Sequence, residues 1–139
     1  MSLKAFLKEN VEIIDNVEYV VSERMKDENG KPVPWKLRTL STKETKLWRN
    51  DFTKVSIGKK GARTETFDGE EYIKKCAVES ITYPDLNDKE LQDSYGVMSA
   101  DDLLIEMLLP GEYTKLIEKM NEINGFDTSF EDKVEEAKN

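Results

Sequence analysis

One stretch constrains this chain more than any other: Leu103, Leu104, Ile105, Met107, Leu108 and Leu109, six large apolar residues within seven positions. Ser99 stands where an N-cap would accept the first free N–H groups, and Pro110-Gly111 breaks whatever precedes it. A helix apolar on most sides is a buried one, so this segment is predicted as a helix at the centre of the core. The rest of the chain offers little to pack around it. Of 139 residues, 37% are hydrophobic and 36% charged, against roughly 45–50% and about 25% in ordinary soluble domains. Burial stabilises by about 25 cal/mol per Å² of apolar surface. So polar a chain is expected to form a single domain over residues 1–139 with a thin core, or to leave segments loose until a partner covers them.

Local signals place the other elements. Ser2 is positioned to cap a short helix with Leu3, Phe6 and Leu7 on its apolar face, ending at Asn10. Tyr19-Val20-Val21-Ser22 and Val33-Pro34-Trp35-Lys36-Leu37 flank Asn29-Gly30, which predicts an antiparallel hairpin over residues 17–40 with Trp35 packed on a helical layer. Ser41-Thr42-Lys43-Glu44 is a capping box leading into Leu47, Trp48 and Phe52. Residues 53–67, with Gly58-Lys59-Lys60-Gly61, read as a loose hairpin or a mobile loop. Asp68-Gly69-Glu70-Glu71 opens a helix with Tyr72, Ile73, Cys76 and Ala77 on one side, ended by Pro84. Asn87 or Asp88 caps a short helix running to Tyr95-Gly96. After Pro110-Gly111, Tyr113, Leu116, Ile117, Met120 and Ile123 share one helix face, and Gly125 supplies the C-cap. Thr128-Ser129-Phe130-Glu131 caps a terminal helix over 128–139, with Phe130, Val134 and Ala137 inward and a fraying end. The expected fold class is α+β: an early antiparallel β-hairpin packed on four or five α-helices, with the C-terminal part all helical.

Charge and missing residue types narrow the function. Residues 1–69 carry 14 Lys/Arg against 11 Asp/Glu, whereas residues 70–139 carry 7 against 18, a net of −11. An acidic half repels nucleic acid and anionic membrane and attracts basic proteins, although acidic helices also serve solubility alone. There is no histidine, so the Ser-His-Asp and Cys-His arrangements and the usual catalytic zinc sites have no imidazole. Cys76 stands alone and reads as a small buried hydrophobe rather than a reactive thiol. An EF-hand loop starting at Asp85 would need an oxygen ligand and then glycine where Lys89 and Glu90 stand. The Gly58-Lys59-Lys60-Gly61 loop lacks P-loop spacing, and no aromatic residues are interleaved with it as stacking platforms for bases. The expectation is no enzyme, no cofactor and no metal, with no nucleic acid or membrane among the partners. No apolar run reaches the roughly 18 residues of a membrane span. The first residues lack a signal peptide's apolar stretch, which points to the cytoplasm.

Tyr83-Pro84-Asp85-Leu86-Asn87-Asp88 followed by Glu90-Leu91-Gln92-Asp93-Ser94-Tyr95-Gly96-Val97 resembles the signature of the XkdN-like phage tail assembly chaperones. The likeness continues through Leu108-Leu109-Pro110-Gly111-Glu112-Tyr113 and Glu122-Ile123-Asn124-Gly125-Phe126. Phe6-Leu7 and Tyr19-Val20-Val21-Ser22 are similar too, so it covers nearly the whole chain, least clearly at residues 53–67. The resemblance implies a protein of phages and prophages, made between the tail-tube and tape-measure proteins in the gene order. It would keep the tape-measure protein soluble in the bacterial cytoplasm while the tube polymerises, then leave, so that it is not expected in the mature tail. The tail tube protein is a second candidate partner, and self-association stays open. The resemblance supplies no catalytic residues. Two other readings compete: a structural tail or connector subunit retained in the particle, and a nucleic-acid-associated regulator using the basic half.

Two residue sets follow. Tyr83, Asp88, Tyr95, Gly96 and Ser99 read as an architectural motif, a helix–turn–helix corner with Asp88 and Ser99 as caps. Tyr113, Leu116, Ile117, Met120, Phe126, Phe130 and Val134 are candidates for an apolar strip, bordered by acid, that meets the partner. The same stripe suits the chain's own core, above all at Leu116 and Met120.

Overall fold

The turn at Asn29-Gly30 closes the first hairpin of the computed structural model, which describes residues 2–126. Gly30 takes φ +79°, a left-handed conformation that glycine adopts without steric cost. The Asp27 carboxylate accepts the Asn29 and Lys31 N–H groups at 2.8 and 3.0 Å, fixing the loop. Strand β1 (Val17–Tyr19) thereby pairs antiparallel with β2 (Trp35–Leu37), Val17 opposite Leu37 and Tyr19 opposite Trp35. Trp35 and Leu37 point into the core, almost wholly buried. Val20, Val21 and Ser22 leave the ladder, although Val21 and Ser22 are themselves buried.

Helix α1 (Thr42–Asp51) begins at the capping box: Ser41 Oγ accepts the Glu44 N–H at 3.0 Å, and Glu44 accepts the Ser41 N–H at 3.1 Å. Trp48 faces the core and Leu47 faces water. Residues 53–67 form β3 (Thr53–Ile57) and β4 (Arg63–Phe67), an antiparallel ribbon of five opposed pairs. A lone two-stranded ribbon is marginal in water. This one is held at its base, where Phe67 packs on Tyr72 and the Arg49 guanidinium lies over both rings at 5.4 and 5.0 Å.

Helix α2 (Gly69–Ser80) is capped by Asp68, whose carboxylate accepts the Glu71 N–H. It ends earlier than the sequence suggested. Pro84 was expected to stop it, but Ser80 donates its hydroxyl back to the Cys76 carbonyl at 2.7 Å. The chain then continues as β5 (Ile81–Tyr83), whose β-branched and aromatic residues suit a strand. Strand β5 pairs antiparallel with β2, completing a three-stranded sheet in the order β1-β2-β5. Helices α3 (Lys89–Ser94), α4 (Ala100–Met107) and α5 (Pro110–Ile123) follow, so the described residues hold five α-helices and the architecture is α+β.

Leu37, Ala77, Leu103, Leu104 and Leu116 are completely buried at the centre of the core. Two expectations need correction. Helix α4 lies at the centre of the core as expected, but it ends at Met107 rather than reaching Leu109, and only its Leu103, Leu104 and Met107 face is buried, leaving Ile105 and Leu109 half exposed. Near the N-terminus, the expected short helix with Leu3, Phe6 and Leu7 on its apolar face is instead two 3₁₀ turns, Lys4–Phe6 and Lys8–Asn10, with all three residues exposed. A helix this short needs tertiary packing to persist, and among the described residues this segment buries none of its apolar side chains. The terminal helix expected over 128–139, with Phe130 and Val134, lies outside the described residues.

Candidate functional site

Helix α5 carries the apolar stripe read from the sequence, and the fold divides that stripe into two. Leu116 and Met120 are buried in the chain's own core. Tyr113 and Ile117 are half-buried at its margin. Across from them stand Ile73 on α2, 42% exposed, and Ile105 on α4, 50% exposed. These four side chains line an open groove of about 570 Å³ between α2, α4 and α5. Beyond Ile73 lies a smaller recess of about 330 Å³ between α1, α2 and the end of α5, bordered by Tyr72, Met120 and Phe126. Ile73 belongs to both, so apolar surface continues from Ile105 to Phe126, which is 68% exposed.

The rim is acidic. Glu70, Glu71 and Glu118 border the groove, and the single cation among its lining residues, Lys74, is committed to Glu71 at 2.9 Å. The hydrogen bond that Lys74 donates to Glu71 holds its ammonium above the ordinary pKa, against some desolvation, and Asp101 and Asp102 add to the effect. Burial pushes the Tyr113 phenol up; Lys74 pulls it down, while Glu71 and Glu70 raise it further. A cation approaching this groove meets an attractive field, and an aliphatic side chain meets Ile73, Ile105, Tyr113 and Ile117.

The groove is held in shape from a distance. Arg24, in the chain segment after β1, donates to both carboxylate oxygens of Glu112 at 2.6 and 3.2 Å and to the Met107 carbonyl at 3.1 Å. Glu112 also accepts the Leu109 N–H at 2.8 Å, closing the first turn of α5 behind Pro110. These bonds, Arg24's first, lower the Glu112 carboxyl to about 2. The hairpin thus fixes the α4–α5 corner, and with it the spacing between Ile105 and Tyr113.

The motif residues form the corner before α4. The Asp88 carboxylate accepts the Leu91 N–H at 2.9 Å and Ser99 Oγ accepts the Asp102 N–H at 3.1 Å. Gly96 takes φ +69° while the Val97 N–H returns to the Gln92 carbonyl. Tyr83 and Tyr95 are exposed, whereas Leu86 is buried and Leu91 and Val97 pack on the core. The oxygen-rich run beginning at Asp85 is turn chemistry: its carboxylate accepts the Asn87 N–H at 3.0 Å. The basic Gly58-Lys59-Lys60-Gly61 loop is the tip of the β3–β4 ribbon. Cys76 is buried, and burial raises its thiol pKa. Among the described residues no group of acidic or cysteine side chains is placed to hold a metal ion, and no helix is long and apolar enough to cross a membrane.

The outward faces of Ile73 and Ile105 were not anticipated. For Ile105 a signal existed: Leu103, Leu104, Met107 and Leu108 already make one helical face, and Ile105 lies off it. For Ile73 none did, because its spacing to Cys76 and Ala77 is that of a core residue.

The model of the phage XkdN-like tail assembly chaperone family matches residues 3–138. The chain belongs to this family. It is 29% identical over 126 residues to the phage-like element PBSX protein XkdN of Bacillus subtilis (strain 168), covering 90% of this chain and 85% of that protein. It is 31% identical, with the same coverage, to the uncharacterized protein YqbN of the same organism. The crystal structure of YqbN superposes with a TM-score of 0.77 at 26% identity, covering 91% of this chain and 98% of that one. Family membership and fold therefore agree over the segment that builds the groove.

Proposed function

We propose that this tail assembly chaperone holds the phage tape-measure protein soluble through the groove between α2, α4 and α5, acting by contact and without a chemical step. The observation that carries this is the pairing of open apolar surface (Ile73, Ile105, Tyr113, Ile117) with an acidic rim. A tape-measure protein is long and helical, and its apolar stripes would aggregate before the tube encloses them. A groove between helices suits an amphipathic helix, whose anchors at i, i+3, i+4 and i+7 enter the apolar floor while basic flanks meet Glu70 and Glu118. The contact is small and charged at its border. Such interfaces form quickly and release readily, as a holder displaced by tube assembly must. The chaperone would act in the bacterial cytoplasm and be absent from the finished tail.

The test is co-expression of the tape-measure protein with and without this chain, followed by fractionation and purification on a tag carried by the chaperone. The expected outcome is a soluble, co-purifying pair. If the tape-measure protein is as insoluble with the chain as without it, the proposal fails. A chaperone found in purified tails at stoichiometric amount would favour the structural-subunit reading instead.

A further inference from the structure

The chain leaves helix α5 at the edge of the recess between α1, α2 and α5. Gly125 takes φ +87°, and the Phe126 N–H reaches back to the Asn121 carbonyl at 2.9 Å. This is a left-handed C-cap, which turns a chain off its helix axis. It sets Phe126 among the residues that line the recess. Arg49 is the one ionised group in that lining. Its guanidinium lies over the Phe67 and Tyr72 rings and pairs with no carboxylate among the described residues. Residues 127–139 carry Asp127, Glu131, Asp132, Glu135 and Glu136 against Lys133 and Lys138, a net of −3. Charge therefore decides between the two open cavities for this segment. The neighbouring groove presents Glu70, Glu71 and Glu118 and repels it, whereas the recess presents Arg49 and attracts it. Phe130 is the segment's one aromatic residue, and four residues of chain beyond Phe126 reach about 14 Å at most.

We propose that residues 127–139 dock back on the recess of their own chain, with Phe130 seated against Ile73 and Tyr72 and a carboxylate of Glu131 or Asp132 paired with Arg49. The tether selects this occupant over a separate one. A segment that starts at the rim of its site has an effective concentration there on the order of millimolar, which a second copy or a client in dilute solution does not match. Charge selects it too, since a partner helix with basic flanks meets Arg49 as a like charge. Phe130, read from the sequence as a partner contact, then serves the chain's own body. Ile73 borders both cavities, so the docked segment covers one flank of it and closes the apolar strip at Phe126. Ile105, Tyr113 and Ile117 remain as the open floor of the groove. The docking stands without the proposed client.

The experiment places a reporter thiol in the recess of the full chain. Thr45 lines the recess and is only half-buried, and Cys76 is the chain's one cysteine, so Thr45→Cys is made together with Cys76→Ala. Its rate of reaction with a neutral dipyridyl disulfide is measured in this parent, with Phe130→Glu added, and with Glu131→Lys and Asp132→Lys added. Thermal melts confirm that all three chains are folded. Phe130→Glu is expected to speed the reaction about tenfold, the factor that corresponds to about 1.4 kcal/mol of lost docking. The charge variant is expected to speed it several-fold, and added salt should speed the parent but not the charge variant. Dilution should change none of the rates, because the cover belongs to the same chain. Equal rates in the parent and the Phe130→Glu chain overturn the proposal. So does protection that is lost on dilution, which would make the cover a second copy's, and a charge variant as slow as the parent would refute the pairing with Arg49. No tape-measure protein enters these assays, so their failure is distinct from failure of the co-expression test.

Discussion

Truncating Leu116 separates the two roles that the α5 stripe could serve. The side chain is completely buried, and Leu116→Ala removes three carbons from the core. At about 0.8 kcal/mol per buried methylene the transfer loss is about 2.4 kcal/mol. The cavity left between α5 and its neighbours, which relax only in part, raises the expected cost to about 3–4 kcal/mol. Against a total stability of roughly 5–15 kcal/mol this is a large fraction. In a chain of this length the melting temperature should fall by about 10 °C. Ile105→Ala makes the contrast: half exposed at the groove, it should cost less than about 1 kcal/mol while weakening whatever fills the groove. Thermal and urea melts of both variants, read by circular dichroism, decide the matter. A Leu116→Ala protein that melts within about 2 °C of wild type yet loses its partner would place Leu116 in the binding surface and refute the division of the stripe.

Two further outcomes follow from the geometry. Asp88→Ala removes the cap of α3 and should destabilise by about 1 kcal/mol, visible as a lower melting temperature with binding retained in the folded protein; an unchanged melt with binding lost would make the corner a recognition surface. Glu44 and Glu112 both titrate near 2, below the ordinary 4.5, each held down first by a hydrogen bond from an arginine, Arg38 and Arg24 respectively. Their stabilisation is complete above about pH 4.5 and is lost as pH falls towards about 2, so urea midpoints should drop through that window, and Glu112→Gln should flatten part of the drop; a Glu112→Gln curve parallel to wild type would contradict the assigned role.

What could be read in the sequence was what local chemistry decides. Ser41, Asp68, Asp88 and Ser99 cap the helices they were expected to cap, because an N-cap needs only a short polar side chain beside its own first turn. Gly30 and Gly125 mark a turn and a helix end for the same reason, and Trp35 is buried because no comparable apolar residue competes near it. What escaped was decided over distance. Strand β5 is three residues long, too short for a period, and exists because β2 offers it an edge. Arg24 and Glu112 are 88 residues apart, and neither type is rare enough in this chain to single out the pair. The N-terminal turns kept their hydrogen-bonding sense but not their helix, since Leu3, Phe6 and Leu7 stay largely exposed among the described residues. The candidate groove was half legible: α5 announced Tyr113 and Ile117, but Ile73 and Ile105 join them only once α2 and α4 have packed against it.

The most direct test of the central claim compares three versions of the full chain co-expressed with the tape-measure protein: wild type, Ile105→Glu in the groove, and Ile57→Glu on the exposed face of the β3–β4 ribbon. Melting temperatures confirm that all three are folded, and the soluble, co-purifying fraction of tape-measure protein is measured for each. The groove account predicts that wild type and Ile57→Glu retain it equally and that Ile105→Glu loses most of it. Retention by a folded Ile105→Glu chain at the wild-type level would contradict the account.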